Sequence, residues 1–337
     1  MIVKINKNIS LQSHHTFALE VFAECFVHVQ TEQDLVQLFE NEKIVDPVFI
    51  LGAGSNVLFN GDFKGTVLKI DIKGIEKVYE SGKTVLVSAA AGEDWDEFVA
   101  YCTAQGWYGL ENLSLIPGTV GAAPVQNVGA FGVEAGNLIN KLRVFNTETG
   151  DFEEFSGADC RFGYRDSRFK HDWAGKYVVA RVFFRLKTTP DVNLDYEGLR
   201  NVFDSNSLPS PVQVREAVIK IRESRLPDVK KIGNAGSFFK NPVVSNDVFE
   251  QIREKYPEVV HFPVDETSVK LAAAWLIEHA GWKGKRHGNA GVHEKQALVI
   301  VNYGGAKPHE IIELSQMIED SIESMFGVRL EREVIVV

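Results

Sequence analysis

Residues 112–136 are drawn mostly from Gly, Ala, Pro, Asn, Gln and apolar types, carry almost no charge, and follow neither the helical nor the strand period. Such a stretch reads as a buried loop that the rest of the fold must hold in place. Uncharged loops of this length are uncommon in compact domains that do not use them. Around it the pattern is mixed α and β. Strand-like runs fall at 25–29, 47–51, 65–70, 84–89, 142–146, 177–186, 297–301 and 333–337. Helical spacing falls at 32–41, 95–105, 211–225, 246–256, 269–280 and 308–326. There is no internal repeat and no low-complexity linker. A chain of 337 residues exceeds what one core usually organises, so two or three domains are expected.

Composition then removes several classes of function. Hydrophobic residues at 45% and charged residues at 24% are ordinary globular values, which exclude long disorder and fibrous repeats. A formal net charge of -10, with no basic run interleaved with aromatics, argues against nucleic acid as a partner. The opening MIVKINKNISLQSHHTF lacks the apolar core and cleavage site of a signal peptide. The most apolar stretches are broken by Gly, Pro, Asn and Gln well short of the roughly 20 residues a membrane span needs. The expectation is therefore a cytoplasmic protein with no membrane insertion. Cys25, Cys102 and Cys160 form no C-x-x-C pair, so neither a disulfide framework nor a metal site is indicated.

Four segments carry candidate chemistry. In LGAGSNVLF (51–59), Gly52, Gly54, Ser55 and Asn56 put unhindered backbone N–H groups in one turn after a strand, as a pyrophosphate requires. Asp71 lies where a dinucleotide fold would place its ribose carboxylate, but Val57 stands at the third glycine position and no long helix can open after it. The segment is thus a phosphate-cradling loop outside the Rossmann architecture, or a plain tight turn. IPGTVGAAPVQNVGAFG (116–132) offers a small-residue surface against which a flat ring such as isoalloxazine can lie, with Gln126 or Asn127 meeting its edge. The alternative is a packed crossover whose amides tie the loop together. CRFGYRDS (160–167) gathers Arg161, Tyr164, Arg165 and Asp166; Arg165 is suited to polarising an anion or to a surface ion pair. In KKIGNAGSFFKNP (230–242), Ser237 follows a glycine and precedes two aromatics without forming a nucleophile elbow, so it suits proton donation rather than acyl transfer.

Taken in order, SLQSHHTF, LGAGSNVLF, GLENLSLIPGTVGAAPVQNVGAFGVE, FGYRDS, LPDVKKIGNAGSFFKNPVV, VKLAAAWLIEHAGWKG, VHEKQALVIVN and LEREV resemble the UDP-N-acetylenolpyruvoylglucosamine reductase family over nearly the whole chain. The resemblance implies an α+β fold. It would comprise a vanillyl-alcohol-oxidase-type FAD-binding region of two subdomains, 1–70 and 71–214, and a C-terminal α/β substrate-binding domain, 215–337. It implies NADPH-dependent reduction of UDP-N-acetylglucosamine enolpyruvate to UDP-N-acetylmuramate through bound FAD, by a monomer, in peptidoglycan precursor synthesis. Ser237 would be the general acid. Arg165 and Glu333, the latter with Glu331 as its alternative, would polarise the substrate carboxylate. FAD would be held by Gly52, Gly54, Ser55, Asn56, Ile116, Pro117, Gly118, Gly121, Ala122, Gln126, Asn127 and Gly129. Tyr196 would cover the nucleotide diphosphate, as in the longer subclass, with Arg225, Asn241, Lys283 and Gln296 on the substrate side. The chain departs from the family's habit at His15 (usually Asn), Arg225 (commonly Lys) and Phe131 (frequently Tyr).

Overall fold

The structure, a computed structural model, describes residues 3–40, 44–203 and 208–337. The chain divides into two compact units, one of 1–9, 23–53 and 63–224, the other of 10–22, 54–62 and 225–337. The second unit therefore takes two short early segments, SLQSHHTFALEVF and GSNVLFNGD, together with the C-terminal region.

The first unit has two sheets sharing one core. In the first sheet the strand order is Ile5–Ser10, Phe22–Val29, Phe63–Ile70, Val48–Leu51, and Phe63–Ile70 is parallel to both of its neighbours Phe22–Val29 and Val48–Leu51. Parallel strands need a crossover, and helix Glu32–Glu40 supplies it, burying Leu35 and Leu38. Its start is fixed reciprocally: Asp34 N–H donates to Thr31 Oγ1 (3.1 Å) and Thr31 N–H to Asp34 Oδ2 (2.9 Å). Asn41, the last residue expected in this helix, lies outside the described residues. The second sheet is antiparallel throughout, in the order Phe152–Ser156, Ile139–Asn146, Tyr177–Lys187, Thr84–Ala90, Ile75–Ser81. Val27 and Leu68 of the first sheet join Val87, Val182 and Phe184 of the second in the same apolar cluster.

The second unit sets helix Pro308–Phe326 over a four-stranded antiparallel sheet, ordered Gly233–Ser237, Val299–Asn302, Ala290–Val292, Arg286–His287. Ile311, Leu314, Ile318, Ile322 and Phe326 recur at three- and four-residue steps along one helix face, and all are buried. Gly327, at φ +67, ends the helix.

The expected mixture of α and β is what the chain adopts, with corrections of detail. Residues 269–280 are not one helix: Ser268–Leu271 is the central strand of a small sheet, its Val269 and Leu271 alternating inward, and the helix is Ala273–His279. Residues 112–136 are not uniformly buried or irregular, for Gly129–Ala130 and Val133–Glu134 pair as a short hairpin. Ile75–Ser81 was illegible because it is a mostly exposed polar edge strand, paired with Thr84–Ala90 and packing Ile75 against the core. All three cysteines are buried and free, and burial raises the Cys102 and Cys160 thiols, the latter to about 12. No described helix is long and apolar enough to cross a membrane.

Candidate active site

In the first unit the glycine-rich loop is fastened through its apolar positions. Val120, Ala123 and Val128 enter the core, whereas Ile116, Gly118, Gly121, Ala122, Gln126 and Gly129 stay half-buried and Pro117 is exposed. The N–H groups of Val120 and Gly121 donate to Glu93 O and Ala91 O at 2.9 Å, laying the loop against the chain that leaves strand Thr84–Ala90. A Cβ on Gly121 would sit 2.5 Å from Ala91 Cβ, and one on Gly52 would sit 2.7 Å from Thr119 Oγ1. Glycine is therefore required for the approach of these segments, which brings the first glycine of LGAGSN to the glycine-rich loop.

Asn127 is committed to the protein itself. Its Nδ2 donates to Glu134 Oε2 and Gly163 O (2.9 Å each), its Oδ1 accepts from Gly136 N–H (2.8 Å), and it is 1% exposed. Its two amide hydrogens are thus taken by the protein, so this side chain shapes the loop. Arg165 reaches the same loop, Nη2 donating to Gly129 O at 2.7 Å.

Two guanidinium groups that pattern analysis did not single out stand at the root of this loop. Asp96 accepts from Leu115 N–H and from Arg215, whose Nη2 lies 2.9 Å from Asp96 Oδ2. Seven residues further along helix Pro211–Arg225, hence on the same face, is Arg222. Burial pulls the Arg222 pKa down to about 10 against the attraction of Asp96, and its Nε has no hydrogen-bond partner among the described residues. One carboxylate facing two guanidiniums leaves a surplus positive charge. The legible signal was two arginines seven apart on a helix that otherwise buries Val214, Ala217 and Val218.

The arm carrying Tyr196 is tied to the loop as well. Asn112 Nδ2 donates to Phe131 O and to Asn193 O at 2.8 Å each, and the Tyr196 ring meets Phe131 edge-on at 4.8 Å. Asn112 was not foreseen as a support. Its neighbour Glu111 is buried, which pushes its carboxyl up to about 7 although Oε2 accepts from Gly109 N–H at 2.6 Å.

The second unit carries Ser237 at the end of strand Gly233–Ser237. Asn234 faces Val301 and Ser237 faces Val299, so one extra residue is inserted between them. Gly236, at φ +69, absorbs this bulge, and its N–H donates to Asn234 Oδ1 at 3.0 Å. Downstream, Phe238 and Phe239 are buried. Glu333 N–H donates to Phe238 O (2.8 Å) and Lys240 N–H to Glu331 O (2.9 Å), so 237–240 runs antiparallel to 331–333. The side chains then separate. Glu331 is exposed and paired with Lys240, Arg332 donates to Glu319 Oε1 at 2.6 Å, and Glu333 is half-buried. The residues after Glu333 also pair, Ile335–Val336 lying parallel to Val57–Leu58. Asn56 clasps this segment, its Nδ2 donating to Glu333 O (3.2 Å) and its carbonyl accepting from Ile335 N–H (3.1 Å).

The remaining expected groups have defined places. Gly54 at φ +67 leaves no room for a side chain, since a Cβ would lie 2.4 Å from His14 O. Ser55 is half-buried in the same turn. His15 is buried with Nε2 3.2 Å from Leu19 O, and burial lowers its pKa. Asn241 Oδ1 accepts from Ala273 N–H at 2.9 Å, which fixes the amide and leaves its NH₂ to donate elsewhere. Gln296 lies in the turn before strand Val299–Asn302, and Leu298 O of that turn accepts from Phe238 N–H at 2.8 Å, which ties the turn to the end of the strand that carries Ser237. Lys283 Nζ is 2.8 Å from Glu278 Oε1, and Arg225 is the exposed last residue of its helix.

Comparison with known proteins covers both units. Residues 227–337 match the model of the UDP-N-acetylenolpyruvoylglucosamine reductase C-terminal domain, and 23–156 match that of an FAD binding domain. Over 336 residues, 99% of both chains, this chain is 45% identical to a UDP-N-acetylenolpyruvoylglucosamine reductase of Pseudomonas putida. It is 43% identical, over the same share of each chain, to that of Pseudomonas syringae pv. syringae. The crystal structure of the Thermus caldophilus reductase has the same fold, with a TM-score of 0.69 at 23% identity and 99% coverage of both chains.

Proposed function

The chain belongs to the UDP-N-acetylenolpyruvoylglucosamine reductase family, and from that premise we propose how its residues divide the work. Its fold is the α+β FAD-binding type with a C-terminal domain, and it is an FAD-containing oxidoreductase. It reduces UDP-N-acetylglucosamine enolpyruvate to UDP-N-acetylmuramate, with NADPH as electron donor, in peptidoglycan precursor synthesis.

The residues present fit the cofactor. The orphaned Arg222 Nε and the surplus positive charge beside Leu115 suit a diphosphate, and the glycine cradle at Gly52 and Gly121 suits close approach of a flat group. FAD, when bound, supplies the hydride relay from NADPH to the terminal vinyl carbon of the substrate. Gly52, Gly54, Ser55, Asn56, Ile116, Pro117, Gly118, Gly121, Ala122, Gln126 and Gly129 are assigned to hold it. Asn127 contributes by shaping the loop.

As charge develops on the carbon next to the substrate carboxylate, Arg165 meets it with a guanidinium, and Glu333 helps to polarise the same group. Ser237 Oγ gives its proton to that carbon and recovers one from solvent, completing the lactyl ether. Tyr196, Arg225, Asn241, Lys283 and Gln296 bind the UDP moiety; the NH₂ of Asn241, whose Oδ1 is fixed by Ala273 N–H, is suited to a phosphate oxygen. The observation that carries this reading is the 2.8 Å bond from Glu333 N–H to Phe238 O, which joins the strand of the proposed acid to the segment of the proposed carboxylate. Glu333 is preferred to Glu331 because Glu333 is half-buried beside Phe238 whereas Glu331 is exposed.

Subdomains at 1–70 and 71–214 are proposed on the ground that the two sheets of the first unit fall on either side of residue 70, with 215–337 as the substrate-binding domain except that helix Pro211–Arg225, whose Arg222 is assigned to the cofactor, groups with the first unit. We place the enzyme in the cytoplasm as a monomer. The test is direct: the purified protein should be yellow, and should consume NADPH when given the enolpyruvyl UDP-sugar. A protein that stays colourless when offered FAD, or that oxidises NADPH with oxygen alone, contradicts the reading.

A further inference from the structure

Arg165 sits on a two-residue turn whose supports lie outside the roles assigned above. Gly163 and Asp166 exchange backbone hydrogen bonds, Gly163 N–H to Asp166 O at 3.0 Å and Asp166 N–H to Gly163 O at 3.2 Å, leaving Tyr164 and Arg165 at the corner. Arg165 takes φ +54, a left-handed conformation that a residue with a long side chain keeps only where its surroundings fix it.

Those surroundings are three alternate residues of the glycine-rich loop. Val125 O accepts from Ser167 Oγ at 2.6 Å. Asn127 Nδ2 donates to Gly163 O at 2.9 Å. Gly129 O accepts from Arg165 Nη2 at 2.7 Å. The turn is therefore pinned on both sides of Arg165 and at the guanidinium itself. Ser167 is 1% exposed, so its hydroxyl serves this bond and not solvent. Gly129 cannot be replaced without moving the arginine, because a Cβ there would stand 2.9 Å from Nη1.

We infer that Ser167 and Gly129 are positioning residues for Arg165, holding its guanidinium at one place on the loop so that it meets the substrate's developing charge without rearranging. The inference rests on the role given to Arg165 above. It assigns Gly129 a task beyond lining the cofactor surface, and it gives Ser167 a task where none was assigned.

The test uses the flavin-loaded enzyme in anaerobic stopped flow, reading flavin reduction by NADPH and reoxidation by the enolpyruvyl UDP-sugar separately. Ser167→Ala should keep its flavin and the first half-reaction and slow the second by about 10- to 100-fold, the scale set by small misplacements of a catalytic group, whereas Gly129→Ala, at a residue also assigned to the cofactor, should slow the second half-reaction by more than it slows the first. Each combined with Arg165→Ala should be no slower than Arg165→Ala alone, since a residue that acts only through Arg165 has nothing left to affect. A merely structural role would instead multiply the losses. Wild-type reoxidation in both single variants, or multiplying losses in the doubles, overturns the inference while leaving Arg165 in place. Wild-type reoxidation in Arg165→Ala removes the role of Arg165 itself. Should Ser167→Ala not fold, Gly129→Ala and its double decide the matter.

Discussion

The Arg165 turn and the Ser237 strand present their groups by opposite means. Arg165 hangs on side-chain hydrogen bonds, from Ser167, from Asn127 and from its own guanidinium, against a loop with little regular structure. Ser237 and Glu333 ride on a backbone ladder: strand Gly233–Ser237 pairs with Val299–Asn302, and Glu333 N–H bonds to Phe238 O. A ladder is made by every residue and survives most substitutions. A side-chain staple is lost with one hydroxyl or one amide. Changes in the first region should therefore act mainly on activity, and changes among the apolar neighbours of the second mainly on stability.

The largest expected effect is at the stapled region. Arg165→Ala should slow flavin reoxidation by the enolpyruvyl UDP-sugar by about 10²- to 10³-fold, with unchanged thermal stability, because a donor aimed at developing charge is worth that much in a closed site. Equal slowing of flavin reduction by NADPH would break the comparison. At the ladder, Val299→Ala removes buried apolar volume opposite Ser237 and should cost about 2 kcal/mol of unfolding free energy, with turnover within about twofold of wild type. A denaturant titration beside a rate assay checks both halves of that statement.

The smallest effects concern pH, and they run in opposite directions in the two units. Glu111, at the root of the glycine-rich loop, has its carboxyl raised by burial from 4.5 to about 7, so its stabilising contribution is whole below 4.5 and is lost as pH rises through about 7. His15, in the second unit, has its pKa lowered by burial from 6.5, so its contribution is whole above 6.5 and is lost as pH falls below that value. Glu111→Gln should flatten the alkaline limb of the stability profile, by on the order of 1–3 kcal/mol, and His15→Asn the acid limb. Urea unfolding across pH 5 to 8 would show whether each variant changes the limb assigned to it.

What the sequence made legible follows the same division. Helix 211–225 and the buried face of Pro308–Phe326 were readable because apolar spacing writes them directly. The edge strand Ile75–Ser81 was not, since its residues are mostly exposed and its pairing is non-local. Ser237, Arg165 and Glu333 were found through motif resemblance. The supports were not: Ser167, Asn112 and Arg222 are ordinary polar residues whose meaning comes from chain segments far away in sequence. Asn127 shows the limit from the other side. An amide in a glycine-rich loop suggests a ligand, and only its three partners reveal that it also holds the loop together.

The most direct test is Ser237→Ala, followed through the flavin absorbance in two anaerobic mixing steps. Bleaching by NADPH should proceed at the wild-type rate, and recovery of colour with the enolpyruvyl UDP-sugar should be slower by about 10²- to 10⁴-fold, the range of a positioned proton donor. Recovery at the wild-type rate, or equal slowing of both steps, would contradict the account.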